Sequence, residues 1–442
     1  MLIKFSVENY LSFKDKIEFS FEAAAIKEHP DHVLNSKDGR YKLLNGALIY
    51  GHNGSGKSNL ISAITFMRDF VINSSKEKQA KERISIEEFK LSTLTVNKPS
   101  FFEIEIIFDE TKYRYGFRVD ENHVWDEWLF VSHKVKEYQL FSRTYDEFLE
   151  EHSYEIDPKF KESDPVNPDI TRKNALLLSV LAQFNGEVSI QLVEWFQKAT
   201  FVSGTNYMEF IDYTAKLLSD ETKPNETILG LLRNAKLGFS NVNVKKKELT
   251  EEMLGGIPRE LKSFLIKTKQ EILNVKTIHT KRDHQGRKVG ELEFDLMTHE
   301  SLGSQKFFAL VGPIYKALLE GSLLIIDELD ARLHSNLSRL IIEFYQLPVN
   351  NPKQSQFIFS THNTQFMDKS LFRRDQLFLI DKSELDSSFL YSIYGLNKVK
   401  PDAPAVRNDA SFEKDYLDGK YGAVPFGQNE GRQLNIWELA ND

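Results

Sequence analysis

Residues 51–58 constrain the fold of this chain more than any other stretch. Their sequence, GHNGSGKS, fits the pattern G-x-x-x-x-G-K-[ST], and it lies between an apolar run at 47–50 and a segment at 59–66 with apolar residues at helical spacing. A buried strand, a glycine-rich turn and a helix start are the context in which this pattern forms a phosphate-binding loop. We therefore expect the backbone N–H groups of the loop and the helix N-terminus to face the phosphates of a nucleotide.

Individual residues of the loop have expected roles of their own. Lys57 would reach the β- and γ-phosphates, and the Ser58 hydroxyl would be a ligand of Mg²⁺. Gly51, Gly54 and Gly56 would let the backbone curl so that successive N–H groups point inward. The loop therefore predicts a nucleotide together with Mg²⁺.

Composition excludes several classes of protein. The chain has 442 residues, 41% of them hydrophobic and 28% charged, which is typical of a globular protein large enough to form two or more lobes. No apolar run approaches the roughly 18–20 residues that a membrane-spanning helix needs, and the N-terminus has no apolar signal segment. The absence of cysteine excludes disulfides and thiolate metal sites and fits a cytoplasmic protein. A net charge of −8 argues against a uniformly basic protein that coats nucleic acid.

The pattern of apolar residues changes along the chain. Short alternating runs before residue 50 predict strands that begin with a hairpin, and those at 100–131 predict an antiparallel β-layer beside the nucleotide site. From about 134 to 270 the pattern becomes mainly helical, and near 273 alternating runs return. The sequence therefore predicts two β-rich regions separated by a helical one.

Two later apolar runs each end in polar side chains. Residues 323–326 are followed by Asp327 and Glu328, and residues 357–359 by a polar group that includes His362. Asp327 at a strand end is suited to hold the Mg²⁺ shell, and Glu328 is suited to orient or deprotonate the attacking water. His362, at the end of a neighbouring parallel strand, would touch the γ-phosphate and the water; the alternative is a loop histidine that caps the strand.

Residues 300–306, with the sequence ESLGSQK, precede an apolar helical run. A Ser-x-Gly turn at the start of a helix offers a second anion-binding N-terminus, although in isolation it is only a helix cap. Its significance comes from the order of the motifs, because it stands after the phosphate loop and before Asp327 and His362.

This set of motifs resembles the ATP-binding-cassette (ABC) class of the SMC, RecF and OLD ATPases. Residues 51–58 match the Walker A motif of that class, and residues 323–328 match its Walker B motif. Residues 301–305 are similar to the signature motif, Asp330 belongs to the D-loop, and His362 matches the switch histidine. The resemblance implies that the nucleotide is ATP.

A closer likeness is to the AbiLi/RloA-type bacterial ATPases. The residues that carry it are the opening stretch 2–13, the signature-like 301–306 and the tail 412–425. That family implies operons of phage defence or abortive infection, often with a second protein as effector. The signature departs from that of transporters, since Leu302 and Ser304 stand where transporters have glycines.

The resemblance implies a fold and a division into domains. The expected fold is α/β, a P-loop NTPase of the ABC-ATPase head type, with a mixed sheet, an antiparallel β-layer and a mainly helical insertion. Residues 1–133 would form the N-terminal half of the head, 134–270 the insertion, 271–400 the C-terminal half and 401–442 a C-terminal arm. The arm would dock a partner or the second subunit.

The resemblance also implies the residues of the site. Glu328, His362 and Lys57 would be catalytic, and Ser58 and Asp327 would bind Mg²⁺. The signature of one subunit would cover the γ-phosphate of ATP bound to another. The expected ATP-binding residues are Gly51, Asn53, Gly54, Ser55, Gly56, Lys57, Ser58, Asn59, Ser301, Gly303, Gln305 and Asp330.

The expected partners follow from the number of motifs. The sequence has one set of them, so a closed site needs a second chain, and ATP would join two heads in a homodimer or a higher homo-oligomer. The AbiLi/RloA likeness implies a separate effector protein, either a nuclease or a toxin. No membrane partner is expected.

Three further interpretations of the sequence remain open. A DNA-repair clamp would need a basic groove, and the only candidate is the stretch 262–288, whose interleaved acidic residues favour a solvated helix and hairpin. A self-contained nuclease of the OLD type is less favoured, because the chain after His362 is too short for an appended Toprim domain beside the remaining core strands. The segment 29–32, HPDH, has a His-x-x-His pair that can bind a metal, but no third ligand is evident nearby.

Overall fold

The computed structural model describes residues 1–76, 82–133, 136–163, 171–219, 225–248, 271–401, 403 and 405–424. The chain forms two compact units. The first unit consists of Met1–Phe201, Gly321–Asp327 and Gln346–Asp442, and the second consists of Val202–Glu320 and Glu328–Tyr345. Residues 249–270 of the predicted insertion and 425–442 of the predicted arm lie outside the described residues.

The elements are numbered in chain order. The strands are β1 (Leu2–Glu8), β2 (Ile17–Ser20), β3 (Val33–Asn35), β4 (Lys42–Leu44), β5 (Gly46–Tyr50), β6 (Ser100–Phe108), β7 (Thr111–Val119), β8 (Val124–His133), β9 (Lys136–Asp146), β10 (Glu151–Ile156), β11 (Thr200–Ser203), β12 (Asn241–Glu248), β13 (Glu271–Arg282), β14 (Lys288–Asp295), β15 (Leu323–Asp327), β16 (Gln356–Ser360), β17 (Leu377–Lys382) and β18 (Ser388–Ser392). The helices are α1 (Lys57–Asn73), α2 (Leu177–Gln183), α3 (Glu187–Lys198), α4 (Met208–Leu218), α5 (Glu226–Asn234), α6 (Leu296–His299), α7 (Leu302–Glu320), α8 (Ser335–Gln346), α9 (Leu396–Val399) and α10 (Phe412–Leu417). Within the described residues, no helix has the length and apolar character needed to span a membrane.

The phosphate loop follows an interior strand of a six-stranded sheet with the order β11-β15-β16-β5-β17-β18. Strands β15, β16, β5 and β17 are parallel, whereas β18 pairs antiparallel with β17. β5 and β16 are buried along their whole length, as expected for parallel strands covered on both faces. The carboxyl ends of parallel strands lie at one edge of a sheet, so the ends of β5, β15 and β16 lie side by side. The predicted α/β class with a mixed sheet is confirmed.

A seven-stranded antiparallel sheet, with the order β10-β9-β8-β7-β6-β1-β2, forms the other layer of the first unit. It confirms both the predicted N-terminal hairpin and the predicted strands at 100–131. Ile104 of β6 lies in the hydrophobic core. On the other face of β6, Glu103 and Glu105 form ion pairs with Arg114 and Lys112 of β7, at 2.9 and 2.5 Å.

The β-layer extends further than the sequence predicts. β9 and β10 continue the sheet to residue 156, so the predicted boundary at 133 falls between strands of one sheet. Along β10, exposed and half-buried residues alternate. A strand without a buried face has no strong apolar period for a sequence to reveal. Strand β12, in the second unit, also lies within residues 134–270. The described part of the predicted insertion therefore contains both strands and helices, whereas the sequence predicts mainly helices.

In the second unit, α4 and α5 pack on the long helix α7. Pro313 lies inside α7 and has no N–H, so the carbonyl oxygen of Ala309 lacks its partner within the helix. The hydroxyl of Thr214 in α4 donates to this oxygen at 3.1 Å and accepts from the N–H of Gly312 at 3.2 Å. A Cβ at position 312 would collide with Thr214, so glycine permits this approach.

Glu127 and Arg143 form an ion pair inside the first unit, and both side chains are fully buried. Arg143 Nε lies 2.9 Å from Glu127 Oε2. The Glu127 carboxylate also accepts hydrogen bonds from the N–H groups of Leu177 and Leu178, at 2.7 and 2.9 Å, and from the Tyr115 hydroxyl at 2.9 Å. The carboxylate therefore joins the antiparallel sheet to the start of α2, and Arg143 balances its charge.

Replacing Arg143 with methionine leaves Glu127 buried without a counter-charge. We expect the free energy of unfolding to fall by about 3–5 kcal/mol, the usual cost of removing one partner of a buried ion pair. Urea unfolding followed by far-UV circular dichroism measures it. Arg118→Met is the matched control, because Arg118 is 52% exposed in its pair with Asp126 and a loss of about 0–1 kcal/mol is expected. Equal losses in the two variants would contradict this account.

Candidate functional site

The phosphate loop closes around the ammonium group of Lys57. Lys57 is the first residue of α1 and is 6% exposed. Its Nζ donates to the backbone oxygen of Gly51 at 2.7 Å and to that of His52 at 3.2 Å. Gly56, with a φ of 113°, precedes the helix, and no side chain caps the helix N-terminus. The first N–H groups of α1 are therefore available to an anionic ligand.

Two glycines of the loop are required by close neighbours. A Cβ at Gly51 would lie 2.5 Å from the backbone oxygen of Ile380, in β17. A Cβ at Gly56 would lie 2.7 Å from the Ser12 hydroxyl and 2.6 Å from the Ser388 hydroxyl. Any larger residue at either position would push the loop off the strands that support it.

Two serines that the sequence analysis missed hold the loop in place. The Ser388 hydroxyl donates to the backbone oxygen of Ser55 at 2.5 Å, and the side-chain amide of Asn59 donates to the Ser12 hydroxyl at 2.8 Å. The backbone oxygen of Ser12 also accepts from the N–H of Ser388 at 2.7 Å. Ser12 lies in the opening stretch 2–13 and Ser388 in none of the motifs, but only their position in the fold reveals this role.

The hydroxyl of Ser55 indicates whether the residues of the loop fit a bound ligand. Its side chain is fully buried, and its Oγ has no hydrogen-bond partner among the residues that the structure describes. An unpaired buried hydroxyl is unfavourable and calls for an explanation. The neighbouring Asn53, Gly54 and Ser58 are exposed, so a ligand can enter the loop from solvent. The loop thus fits a group with several acceptor oxygens, as a nucleotide phosphate has.

The ends of β15 and β16 bring further polar side chains to the first unit. The hydroxyl of the fully buried Ser360 donates to Asp327 Oδ1 at 2.5 Å. His362, two residues beyond the end of β16, is exposed. The Tyr50 hydroxyl at the end of β5 donates to the backbone oxygen of Asn363 at 2.8 Å. The turn that carries His362 is therefore fixed to the strand that precedes the phosphate loop.

A cavity of about 660 Å³ joins the phosphate loop to His362. The C-terminal arm completes its wall, and α10 is attached to the turn after β16 by a hydrogen bond of 2.8 Å from Thr364 Oγ1 to Glu413 Oε1. The sequence analysis assigned no site residue to the arm. The cavity is lined by Tyr50, Gly51, His52, Asn53, His362, Thr364, Tyr416, Leu417 and Val424.

The segment that resembles the signature motif lies in the second unit. Ser301 and Leu302 are exposed at the start of α7, and the Ser301 hydroxyl caps the helix by accepting from the N–H of Ser304 at 3.1 Å. Gln305 is only 4% exposed, and its amide nitrogen donates to the backbone oxygen of Glu300 at 3.0 Å. Gln305 therefore fixes the turn before the helix, and its contact with ATP stays a prediction.

Lys306 holds the turn that follows β15. Its side chain is fully buried, and its Nζ donates to the backbone oxygens of Glu328, Leu329 and Ala331, at 3.0, 2.9 and 2.6 Å. Burial lowers the pKa of Lys306 to about 8, against the opposing effect of the Asp330 and Glu328 carboxylates. At neutral pH the group therefore remains mainly an ammonium with three protons to donate.

The same turn contains two residues in the left-handed region, Glu328 with a φ of 53° and Arg332 with a φ of 61°. Such conformations are uncommon for residues other than glycine and need support from their surroundings. The hydrogen bonds from Lys306 supply it. A Cβ at Gly303 would lie 3.0 Å from the backbone oxygen of Arg332, so the start of α7 packs directly on this turn. A lysine directly before an apolar helical run is the sequence signal that could have revealed Lys306.

The predicted site residues therefore form two groups. Residues 51–59, Asp327 and His362 belong to the first unit. Ser301, Gly303, Gln305, Glu328 and Asp330 belong to the second unit. The chain passes from one to the other between Asp327 and Glu328, and the roles of both groups in binding and catalysis stay predictions.

Removing the Ser360 hydroxyl tests the predicted metal role of Asp327. In Ser360→Ala the carboxylate loses the hydrogen bond that orients it, and loss of such a supporting bond costs about 10-fold in metal affinity. We expect the Mg²⁺ concentration for half-maximal phosphate release to rise by about that factor. Ser355→Ala, just before the other end of β16, is the control and should leave the Mg²⁺ dependence unchanged. An unchanged dependence in both variants would contradict the role of Asp327.

Comparisons with known proteins identify the family of the chain. A family model described as "AAA domain, putative AbiEii toxin, Type IV TA system" matches residues 47–368. No curated protein compared with the chain is significantly similar to it. The solved structures that match include cbiO1 from Clostridium perfringens, described as part of the ABC transporter complex cbiONQ, which is 11% identical over 91% of this chain and 92% of that chain. Its TM-score of 0.29 is too low to support an argument. Because the family model spans well over half of the sequence, the protein belongs to this family of AAA-type ATPases.

Proposed function

We propose that two copies of this ATPase pair when they bind ATP and separate after hydrolysis, and that this switch controls a separate effector protein in bacterial antiphage defence. The observation that carries the proposal is the cavity that joins the phosphate loop to His362. The loop beside it contains the buried hydroxyl of Ser55, which has no hydrogen-bond partner in the part of the chain that the structure describes. A site with donors ready for phosphates and a histidine at the same cavity is suited to bind and hydrolyse a nucleoside triphosphate.

Each predicted residue of the phosphate and metal sites has a proposed task. Lys57 would transfer its hydrogen bonds from the loop carbonyls to the β- and γ-phosphates. Ser58 and Asp327 would hold Mg²⁺, with Asp327 oriented by Ser360. A bound Mg²⁺ would neutralise charge on the phosphate oxygens. His362 would contact the γ-phosphate, and Glu328, the next residue along the chain after Asp327, would orient and deprotonate the water.

The proposed pairing rests on the exposed start of α7. The N-terminus of this long helix carries a partial positive charge, and Ser301 is exposed there. The sequence contains one such segment and one phosphate loop. In a symmetric pair, Ser301 and Gly303 of each chain would cover the γ-phosphate bound by the other, so that two ATP molecules join the two chains.

The proposed defence role rests on the description of the family and on the AbiLi/RloA likeness of the sequence. The family description names an AbiEii toxin and a type IV toxin–antitoxin system. Both point to two-component systems in which one protein restrains or releases the toxic action of another. The effector would recognise one nucleotide state of the ATPase, and phage infection would change the balance between the states.

The same family description favours a second candidate function, in which this chain is itself the toxic component. Expression of the chain alone in a bacterial host distinguishes these two candidate functions. A toxin slows growth without any partner, and Lys57→Ala should relieve the effect if the toxicity needs nucleotide. A chain that controls a separate effector leaves growth unchanged when expressed alone.

A DNA-repair clamp and a self-contained nuclease have less support. Within the described part of the basic stretch 262–288, Lys276, Arg287 and Lys288 pair with acidic side chains at 3.3, 2.9 and 2.7 Å. Lys262, Lys267 and Lys269 lie outside the described residues. Among the described acidic residues of the arm, Asp409 pairs with Arg407, Glu413 accepts from Thr364, and Asp415 and Asp418 both pair with Lys420. These four carboxylates do not form the metal cluster that a nuclease needs.

Glu328→Gln tests the pairing directly. The amide cannot take the proton of the water, so we expect phosphate release to fall by about 100-fold or more while ATP still binds. ATP and Mg²⁺ should then raise the mass of the variant in light scattering toward that of two chains. Glu320→Gln, an exposed residue at the end of α7, is the control and should hydrolyse ATP as the unchanged protein does. A variant that stays at one mass with and without ATP would rule out the proposed pairing.

The pKa of Lys306 predicts a pH dependence. Raising the pH from 7 to 9 passes the lowered pKa of about 8 and removes one of the protons that Lys306 donates to the Glu328 turn. We expect phosphate release by the unchanged protein to decrease with a midpoint near pH 8. Lys306→Arg keeps its charge and should move the decrease to higher pH, whereas Lys306→Met should be slow at every pH. An identical midpoint in the arginine variant would contradict the role of Lys306.

A further inference from the structure

The turn at residues 29–32 brings together three side chains of the kind that bind metals. His29 precedes a short 3₁₀ helix, Pro30–His32, and adopts a φ of 36°, which is rare for a residue with a side chain. The imidazole rings of His29 and His32 are stacked, with centroids 4.6 Å apart. One ligand atom from each of His29, Asp31 and His32 lies within 4.8 Å of the other two. The structure thus identifies Asp31, inside the HPDH segment, as the third ligand.

The hydrogen bonds of the two rings leave one nitrogen of each ring with a free lone pair. His29 Nε2 lies 2.7 Å from the backbone oxygen of Lys369, so this nitrogen carries the proton. His32 Nδ1 lies 3.0 Å from Gln376 Oε1. The amide nitrogen of Gln376 donates to Asn45 Oδ1 at 2.9 Å, which fixes the oxygen toward His32 and makes Nδ1 the donor. Among the described residues, His29 Nδ1 and His32 Nε2 have no hydrogen-bond partner.

Both rings share one feature with metal-binding histidines, which is a hydrogen bond between one ring nitrogen and a carbonyl oxygen. A histidine ligand usually donates its other N–H to a carbonyl or carboxylate oxygen, which selects the tautomer and orients the ring. His32 is 4% exposed, and burial lowers its pKa, so the ring is neutral and able to bind a cation. Asp31 is exposed, and its carboxylate has neither an ion pair nor a hydrogen bond among the described residues.

The charges near the turn do not prevent cation binding. Arg373 is the cation that acts on His32. Its guanidinium makes two hydrogen bonds to the carboxylate of Asp375, at 2.9 and 2.8 Å, so its charge is compensated. Asp31 acts on His32 in the opposite sense and supplies the negative charge of the cluster.

We propose that His29, Asp31 and His32 bind a divalent transition-metal ion, of which Zn²⁺ is the best match. Two imidazoles and one carboxylate form a ligand set that Zn²⁺ prefers. In a tetrahedral zinc site the ligand atoms lie about 3.4 Å apart, so ligand atoms that lie within 4.8 Å of one another must approach by up to about 1.4 Å. Binding would also turn the half-buried His29 ring out of its stack with His32, so that the lone pairs of both rings meet at the ion. Three protein ligands leave a fourth position for water or another ligand. The site is separate from the ATP cavity.

Zinc binding to the full-length protein tests the proposal. The protein is treated with a chelator, dialysed, and titrated with Zn²⁺ against a chromophoric chelator, in the absence of nucleotide and Mg²⁺. We expect one Zn²⁺ per chain, and we expect the double variant His29→Gln/Asp31→Asn to bind at least 10-fold more weakly. His284→Gln removes an exposed histidine from the turn between β13 and β14, and it is the control that should bind as the unchanged protein does.

A second measurement shows whether weaker Zn²⁺ binding by the double variant results from lost ligands or from misfolding. Zn²⁺ should raise the unfolding temperature of the unchanged protein and of His284→Gln, but not that of the double variant. If the double variant unfolds at a lower temperature without metal, the single variant Asp31→Asn is compared instead, because the Asp31 side chain makes no hydrogen bond among the described residues and its loss should not weaken the fold. The proposal is overturned if the unchanged protein binds no Zn²⁺ or if the variants bind it as tightly as the unchanged protein.

Discussion

The hydrogen bonds from the Lys57 ammonium to the backbone of its own loop are the interactions on which the rest of the site depends. They hold the curl of residues 51–57. That curl excludes a side chain at Gly51 and Gly56, because Ile380 and two serine hydroxyls occupy the space. The loop is therefore shaped both by its own lysine and by the neighbouring strands. The buried hydroxyl of Ser55, which has no hydrogen-bond partner among the described residues, belongs to the same loop.

In the second unit, too, a buried lysine holds a turn by donating to backbone oxygens. Lys306 is another buried ammonium whose protons go to backbone oxygens, and it holds the turn that begins at Glu328. The chain changes units between Asp327 and Glu328. The residue proposed to hold Mg²⁺ is therefore oriented by Ser360 of the first unit, and the residue proposed to act on water is held through its backbone by the second. The two neighbouring residues with proposed roles in metal binding and hydrolysis are therefore held by different units.

The sequence predicts the parts of this structure that depend on local pattern. The phosphate loop, the buried strands before it and before Asp327, and the alternation of β6 are all evident from residues close together in the chain. It does not reveal the roles of Ser12 and Ser388, because their contacts with the loop and the start of α1 arise only when distant parts of the chain come together. The sequence does not predict β10 for another reason. Neither face of this strand is buried, so its residues show no strong apolar alternation. The third member of the His29 cluster was adjacent in sequence, but only the folded turn shows that its carboxylate lies within reach of both rings.

Complementation between two inactive variants tests the central claim most directly, namely that each ATP site is shared by two chains. Lys57→Ala removes the phosphate-binding lysine, and Ser301→Arg blocks the signature-like turn. Each variant alone should release no phosphate. If the sites are shared, an equal mixture should recover roughly a quarter of the activity of the unchanged protein, because half of the pairs are mixed and each mixed pair has one intact site. A mixture that stays inactive, or a Ser301→Arg variant that hydrolyses ATP alone at the normal rate, would contradict the claim.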